Sequence, residues 1–188
     1  MKQQFLSICE EHIKRDGTDK LLAWLSGSDF FKAPASTKYH GSYEGGLLEH
    51  SLNVYECLKK SIDRYGLSGV YSDETITIVS LFHDVCKVNK YKKGFRNVKE
   101  EGQWVQKEIF EVDELFPCGH SEKSVILLQN FIKLTPDEIL AIRAHMGGFD
   151  SSIKTGEYFI SAIFERNKLA TLLHLADMES TYLLEAKK

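Results

Sequence analysis

The sequence predicts a mostly helical fold that carries one small β-hairpin. Apolar residues recur at spacings of three and four over residues 47–65, the pattern of a helix packed on one face. Helix-start signals precede two further segments, at Ser72-Asp73 and at Thr135-Pro136. Over residues 95–113 the periodicity changes, and a Glu101-Gly102 turn precedes the run Trp104-Val-Gln-Lys-Glu-Ile-Phe-Glu-Val. We therefore expect packed helices with a hairpin inserted between two of them.

The composition is that of one ordinary globular domain. The chain has 188 residues, of which 43% are hydrophobic and 27% are charged, which is enough for a substantial core. Its start lacks the apolar core of a secretory signal, and no apolar run reaches membrane-spanning length. The four cysteines are widely separated and form no C-x-x-C pair, which favours reduced thiols over a zinc ribbon or a disulfide framework. We expect a cytoplasmic protein that does not contact a membrane.

Charge is unevenly distributed along the chain. The formal net charge of −3 gives no overall attraction for a polyanion, so extended nucleic-acid binding is not expected. A local basic run nevertheless comes directly after the adjacent pair His83 and Asp84, and it comprises Lys87, Lys90, Lys92, Lys93, Arg96 and Lys99. Some of these residues fit a solvated loop. Lys87 differs, because it lies three residues after Asp84 and near the same helical face.

The first part of the chain is predicted to be scaffold followed by a loop. Two short helices are expected over residues 5–13 and 20–24, the second with Thr18 or Asp19 as its N-cap. Residues 33–46 are rich in Pro, Ser, Tyr and Gly, and they deliver His40 to the start of the next helix. The Gly45-Gly46 pair would let the backbone approach another segment closely.

The next two helices carry imidazole and carboxylate groups on apolar faces. His50 lies on the inward stripe of the helix over 47–65, and the following helix ends near the adjacent pair His83 and Asp84. Neighbours on a helix point about 100° apart, so both side chains of this pair could reach one ion over the ridge between them. A buried Asp is costly unless it is paired or bound to a metal. The alternatives are a His–Asp hydrogen bond without metal and, for His50, a satisfied core histidine.

Three further elements follow the hairpin. A helix is expected over about 121–132 with His120 at its start, and the helix after Thr135-Pro136 carries Arg143 and delivers His145 in its last turn. Residues 151–156 form an expected exposed loop. A final helix over 169–184 places His174 and Asp177 three residues apart on one face.

Three motifs in this order resemble the HD-domain superfamily of metal-dependent phosphohydrolases. They are Gly45-Gly-Leu-Leu-Glu-His50, Leu81-Phe-His-Asp-Val-Cys-Lys87 and Leu173-His-Leu-Ala-Asp177. The resemblance covers roughly residues 38–182 and implies an all-α HD-domain helical bundle with the β-hairpin as an insertion. It also implies one HD-type domain over residues 1–188, with an N-terminal helical scaffold over 1–37 and a metal-binding core over 38–182.

The resemblance implies the ligands of the metal site. His50, His83, Asp84 and Asp177 would hold one divalent ion. Two-metal branches of the family add two histidines, for which this chain offers His120 and His145, with Asp84 bridging the ions. Imidazole and carboxylate ligands suit Mn²⁺, Fe²⁺, Co²⁺, Ni²⁺ or Zn²⁺, and Mg²⁺ is kept among the candidates.

The doublet itself differs from a common family form. Val85-Cys86 stands where many members have Ile-Gly, which argues against the branch that degrades cyclic dinucleotides. The segment ending at His50 is similar to HD-type exoribonucleases, although no separate nucleic-acid-binding domain is indicated.

Roles in catalysis follow from the expected chemistry of phosphate ester cleavage. An ion would activate water and polarise a phosphoryl oxygen, with Asp84 as a catalytic ligand. Lys87 would neutralise charge that develops on the phosphate oxygens, while Lys90 or Arg143 binds a neighbouring phosphate. His40 is a candidate general acid for the leaving oxygen, or else a surface loop residue. His174 would orient Asp177 or pack in the core.

The leading hypothesis is a hydrolase for a phosphate monoester or diester of a nucleotide or related metabolite. A second enzyme hypothesis is a di-iron protein that activates oxygen, since some proteins of this type use the scaffold for oxidation. The third is a sensor domain that binds metal and nucleotide without turnover. Short helical proteins of this family often associate, so a homo-oligomer is kept among the partners. The substrate, the metal and the general acid stay open at this stage.

Overall fold

The computed structural model describes residues 1–150, 153, 156 and 158–186. The helices are, in chain order, α1 (Lys2–His12), α2 (Thr18–Gly27), α3 (Gly46–Arg64), α4 (Asp73–Phe82), α5 (His120–Gln129), α6 (Pro136–Ala144), α7 (Phe159–Arg166) and α8 (Lys168–Glu179). Strands β1 (Tyr91–Glu100) and β2 (Gln103–Val112) form an antiparallel pair between α4 and α5. The expected helical fold with a hairpin insertion is confirmed. The loop predicted over 151–156 falls largely outside the described residues.

Helix α3 is the centre of the core. It is buried along most of its length because it packs against α4 on one side and α8 on another, and α8 also packs against α6. Helix α1 reaches the same core through aromatic contacts, since the ring centroid of Phe5 lies 5.2 Å from that of Phe30 and 5.8 Å from that of Phe82. The end of α4 is therefore held from two directions. None of the described helices combines the length and apolar character needed to span a membrane.

Helix α2 begins differently from the prediction. Its N-cap is Gly17, with a left-handed φ of 91°, so the expectation of a Thr18 or Asp19 cap is wrong. A Cβ at position 17 would lie 1.9 Å from the carbonyl oxygen of Phe131. Only glycine fits this close approach, and the Thr18 hydroxyl instead donates to the carbonyl oxygen of Arg15 at 2.7 Å.

The Gly45-Gly46 pair allows the loop over residues 33–46 to lie directly against the start of α3. Gly45 has a left-handed φ of 85°, and a Cβ at Gly46 would lie 2.0 Å from the carbonyl oxygen of Gly41. The predicted close backbone approach is thus confirmed. It brings the loop that contains His40 beside the helix that contains His50.

Helix α4 starts where the sequence predicts, but it ends at Phe82, before the pair His83 and Asp84. The Ser72 hydroxyl accepts a hydrogen bond from the Thr75 N–H at 3.1 Å, which confirms the predicted cap. His83 keeps helical torsion angles as the C-cap residue, but Asp84 has φ −105° and ψ 17° and lies outside the helix. The expected placement of both residues on one helical ridge is therefore corrected. A 3₁₀ turn, Val85–Lys87, follows and keeps this segment buried.

The hairpin begins at Tyr91 rather than at residue 95. Its register runs from Tyr91↔Val112 to Glu100↔Gln103, and the two turn residues, Glu101 and Gly102, have φ of 49° and 87°. Positive φ at both central residues is typical of the type I′ turn, whose twist matches the strands. The predicted turn position is confirmed.

The last part of the chain contains two corrections. Helix α7 was not predicted, although Phe159, Ile160 and Ile163 follow helical spacing. Asn167 separates α7 from α8, and its side-chain oxygen caps α8 by accepting from the Ala170 N–H at 3.1 Å. The single helix expected over 169–184 is instead α8 followed by a π-helical turn, Ser180–Leu184.

Candidate metal centre

The structure brings together the six side chains that the sequence singled out as metal ligands. They come from five helical elements, and each lies at or near an end or a buried face of its helix. The set is His50 on α3, His83 and Asp84 at the end of α4, His120 on α5, His145 after α6 and Asp177 on α8.

Asp84 lies at the centre of this cluster. Its Oδ1 is 2.7 Å from the Nε2 of His120 and 3.6 Å from the Nε2 of His145. Its Oδ2 is 3.6 Å from the Nε2 atoms of both His50 and His83. One buried carboxylate therefore faces four imidazoles, two on each oxygen.

Backbone carbonyls fix the orientation of two of these imidazoles. The Nδ1–H of His83 donates to the carbonyl oxygen of Ser80 at 2.8 Å, and that of His145 donates to the carbonyl oxygen of Ile142 at 2.6 Å. Each acceptor lies three residues earlier, in the last turn of the helix that precedes the histidine. The Nε2 atom of each ring is thereby directed towards Asp84.

The arrangement fits a divalent ion. The Nε2 of His145 is buried and has no hydrogen-bond partner among the described residues. The Nε2 atoms of His50 and His83 lie 3.2 Å apart, and the Nε2 of His50 lies 3.2 Å from the Oδ1 of Asp177. Candidate ligand atoms of His50, His83 and Asp84 lie within 4.8 Å of one another. Imidazole nitrogens and carboxylate oxygens are ligands that first-row divalent metals accept.

His50 has a second carboxylate partner that sequence reasoning missed. Its Nδ1 lies 3.1 Å from the Oε2 of Glu185, and the Asn53 side-chain amide donates to the Oε1 of Glu185 at 2.9 Å. Asn53 lies three residues after His50, on the same face of α3, which is the only signal for this contact in the sequence. The position of Glu185 depends on the π-helical turn and carries no signal of its own.

The pKa values of His50 and His83 are shifted in opposite directions. Burial opposes a charge on His50, yet hydrogen bonds to Asp177 and Glu185 raise its pKa to about 9. Burial lowers the pKa of His83 to about 3. The two carboxylates therefore favour the protonated form of His50. Because a ligating histidine must be neutral, metal binding would release this proton.

Cys86 contacts one of the clustered histidines. Its Sγ lies 3.3 Å from the Nδ1 of His120, and its N–H donates to the hydroxyl of Ser124 at 3.2 Å. Burial raises the pKa of the Cys86 thiol to about 12, so the group is neutral. The sequence identified this cysteine only as a departure from the family motif.

Lys87 extends from the 3₁₀ turn towards the same carboxylate. Its Nζ lies 2.5 Å from the Oδ2 of Asp84, and its side chain is nearly buried. Burial opposes the charge, but Asp84 outweighs it and raises the pKa of the Lys87 ammonium above its ordinary value. A fixed positive charge therefore stands beside the candidate metal ligands.

A cavity of about 840 Å³ opens over the cluster. Its floor includes Asp84, Lys87, His120 and Asp177. The walls combine short polar side chains with apolar and aromatic ones, namely Ser36, Thr37, Lys38, Tyr39, Tyr91, Val112, Met146, Phe149, Met178, Thr181 and Tyr182. This volume and this mixture are typical of sites for small organic ligands.

The remaining predicted site residues differ in their access to this cavity. His40 lines it, with its ring centroid 4.9 Å from that of His50, and its buried Nε2 has no hydrogen-bond partner among the described residues. Burial lowers the pKa of His40 to about 4. Lys90 also lines the cavity, and its Nζ lies 4.0 Å from the Oε2 of Glu114.

Arg143 is not brought to the cavity. Its guanidinium lies 2.6 Å from the Oδ2 of Asp150 and 2.5 Å from the Oε1 of Glu122, and it does not belong to the cavity lining among the described residues. The guanidinium of Arg143, which the sequence had suggested as a phosphate-binding group, is thus paired with two carboxylates. His174 does line the cavity, and its Nδ1–H donates to the carbonyl oxygen of His145 at 2.6 Å.

One curated protein is similar to part of the chain. A dihydroneopterin 2′,3′-cyclic phosphate phosphodiesterase of Methanocaldococcus jannaschii is 34% identical over 94 residues. The match takes in 48% of this chain and 35% of the relative, so the chain spans about a third of the length of that protein. No protein-family model and no solved structure matches the chain.

Proposed function

We propose that the chain is a metal-dependent phosphohydrolase of the HD type, acting on a phosphate ester of a nucleotide-like metabolite. The observation that carries this proposal is the convergence of four imidazoles on the buried carboxylate of Asp84, beside the ammonium of Lys87, at the floor of a cavity. The similarity to a phosphodiesterase supports the reaction class, and a diester is therefore the preferred substrate.

Two groups of residues would hold the metal. His50, His83, Asp84 and Asp177 would bind one ion, and His120 and His145 would bind a second one that shares Asp84. When bound, such ions lower the pKa of a coordinated water and polarise a phosphoryl oxygen. Identity of the metal follows from availability and geometry as much as from the ligands.

Lys87 and Lys90 would bind the phosphate group. Lys87 lines the cavity, and its ammonium contacts Asp84. The same ammonium would also donate a hydrogen bond to a phosphate oxygen of the substrate. A preorganised cation in a site that excludes water stabilises charge that develops on the phosphoryl oxygens. Lys90 also lines the cavity and would contact a neighbouring phosphate. Arg143 has no part in this proposal.

His40 would handle the proton of the leaving oxygen. It belongs to the cavity lining, and its buried Nε2 has no hydrogen-bond partner among the described residues, so no described protein group competes for this atom. The free protein carries this imidazole in its neutral form at pH 7, because burial lowers its pKa to about 4. The negative charge of a bound phosphate would favour the protonated form that a general acid needs.

The walls of the cavity suit a substrate with a planar ring. Tyr91, Phe149 and Tyr182 are among the residues that line the cavity, and polar side chains such as Ser36 and Thr181 line it as well. Aromatic side chains commonly stack on heterocyclic bases. A cyclic phosphodiester of a heterocyclic metabolite, the type of compound named for the relative, is our leading substrate class.

The test is hydrolysis by metal-loaded protein of three probes: bis(p-nitrophenyl) phosphate, a 2′,3′-cyclic nucleotide and a nucleoside monophosphate. We expect diester cleavage that disappears in Asp84→Asn and persists in His12→Ala, a histidine at the end of α1 away from the cluster. Folded, metal-loaded protein that cleaves none of the three would overturn the proposal. Tight nucleotide binding without product would identify a sensor domain instead.

A further inference from the structure

The carboxylate of Glu185 is a buried hub of three hydrogen bonds. Its side chain is only 3% exposed. It accepts from the Nδ1–H of His50 at 3.1 Å, from the Asn53 amide at 2.9 Å and from the hydroxyl of Ser180. A carboxylate is costly to bury without such partners, so this arrangement specifies one orientation of each donor.

The chain reaches this position by a change of helix type. Helix α8 ends at Glu179, and the π-helical turn Ser180–Leu184 widens the last turn before Glu185. The N–H of Glu185 donates to the carbonyl oxygen of Ser180 at 2.9 Å, which closes the turn against α3. Wide π-helical turns often occur at functional sites.

We propose that Glu185 is a positioning residue for the metal centre, acting through His50. The carboxylate holds the Nδ1 side of the ring, so the Nε2 side faces Asp84 and Asp177. A carboxylate that accepts from the distal N–H of a ligating imidazole fixes its tautomer and increases its basicity as a ligand. This inference rests on the metal site of the proposed function and adds a residue that the motifs do not contain.

The same segment also forms part of the cavity wall. Thr181 and Tyr182, which precede Glu185 by a few residues, belong to the cavity lining. The hydrogen bond from His50 to Glu185 therefore links the metal ligand to the wall that faces the substrate. Loss of the carboxylate would loosen both.

The experiment measures Co²⁺ affinity in the full chain by competition with a chromophoric chelator, together with the visible absorption of bound Co²⁺. Glu185→Ala is expected to weaken binding by roughly 10- to 100-fold and to alter the cobalt spectrum. Glu185→Gln keeps the volume and an acceptor oxygen, so it should weaken binding less, and Glu185→Asp should restore part of the affinity. The matched control is Glu56→Ala, an exposed glutamate on α3.

The outcomes separate this inference from the proposed function. Parent and Glu185→Ala proteins with equal cobalt affinities would overturn the positioning role, even if the variant has a lower melting temperature. If Glu185→Ala binds cobalt more weakly than the parent but the parent hydrolyses no phosphate ester, the positioning role stands and the proposed function is overturned. A parent that binds no cobalt would remove both. If Glu185→Ala does not fold, the same comparison is decided by Glu185→Gln.

Discussion

Lys87 Nζ lies 2.5 Å from Asp84 Oδ2, and both side chains are nearly buried beneath the cavity. The contact spans only three residues, but it is made across a 3₁₀ turn rather than along a regular helix. The pair places a cation within reach of any phosphate that approaches the clustered ligands. Lys87 is therefore the residue whose charge is best placed to act on the reaction without binding the metal.

Lys87→Met should lower kcat by about 100-fold or more while leaving the metal content of the protein unchanged. The reason is the loss of a preorganised charge beside the phosphoryl oxygens, a change that typically costs this much in rate. Steady-state kinetics and elemental analysis on the same preparation would measure both quantities. Lys92→Met, on the exposed part of β1, is the matched control. A variant with parental kcat would exclude Lys87 from the reaction.

His120→Ala should reduce the metal content from two ions per chain to one. His120 contacts Oδ1 of Asp84 at 2.7 Å, whereas His50 and His83 face Oδ2, so its removal should affect one ion selectively. Elemental analysis of protein purified without added metal or chelator would give the number. One ion in the parent, unchanged in the variant, would place His120 outside the metal site and make nucleoside monophosphates the first substrates to test.

Much of the clustering at the candidate metal centre could be predicted because its residues lie on elements with clear patterns. His50 occupies an inward position of a regular helix, and His83-Asp84 ends an apolar run, so spacing alone placed both near the core. His120 and His145 lie beside helix ends that glycines or caps mark in the sequence. These side chains come together at Asp84 because their helices pack against one another.

Contacts that depend on irregular backbone could not be predicted in the same way. Glu185 reaches His50 only because a π-helical turn follows α8, and no residue pattern signals that turn. Gly17 caps α2 because a distant carbonyl of Phe131 leaves no room for a Cβ, which is a tertiary constraint. Helix α7, by contrast, has a regular backbone, and Phe159, Ile160 and Ile163 give it an apolar period that is visible in the sequence.

His40→Gln should lower kcat by about 100-fold or more, with little change in metal affinity. The residue lines the cavity beside His50, and glutamine preserves a polar group there while removing the proton that the reaction needs. Substrates with better leaving groups should suffer a smaller loss, because their leaving oxygen needs less protonation. A series of aryl phosphodiesters would measure this dependence. An equal loss for every leaving group would contradict the acid role.

The ion pair between Arg15 and Glu138, which lies outside the candidate metal centre, should contribute to the stability of the fold. Arg15, in the connection between α1 and α2, contacts both carboxylate oxygens of Glu138, at 2.6 and 2.8 Å. Glu138 is fully buried and also accepts from the N–H of Thr135 at 2.8 Å within a capping box at the start of α6. The pair therefore attaches the scaffold helices to the helix that precedes His145.

Glu138→Gln should lower the free energy of unfolding at pH 7 by about 3 kcal/mol, because it leaves the Arg15 guanidinium without its buried counter-charge. Glutamine can still complete the capping box, so the change reports mainly on the charge. Burial opposes ionisation of Glu138, but the hydrogen bonds from Arg15, Thr135 and Thr75, together with the charge of Arg15, outweigh it and lower the pKa below its ordinary value of 4.5. The stabilisation is therefore present above pH 4.5 and is lost as the pH falls through the lowered pKa, so parent and variant should converge in acid.

Urea unfolding between pH 7 and pH 3 would measure this difference in the free energy of unfolding. The control is Glu74→Gln, the more exposed partner of Arg15, which is expected to cost about 1 kcal/mol or less. A difference between parent and Glu138→Gln that stays constant across this range would show that the ion pair is not its source.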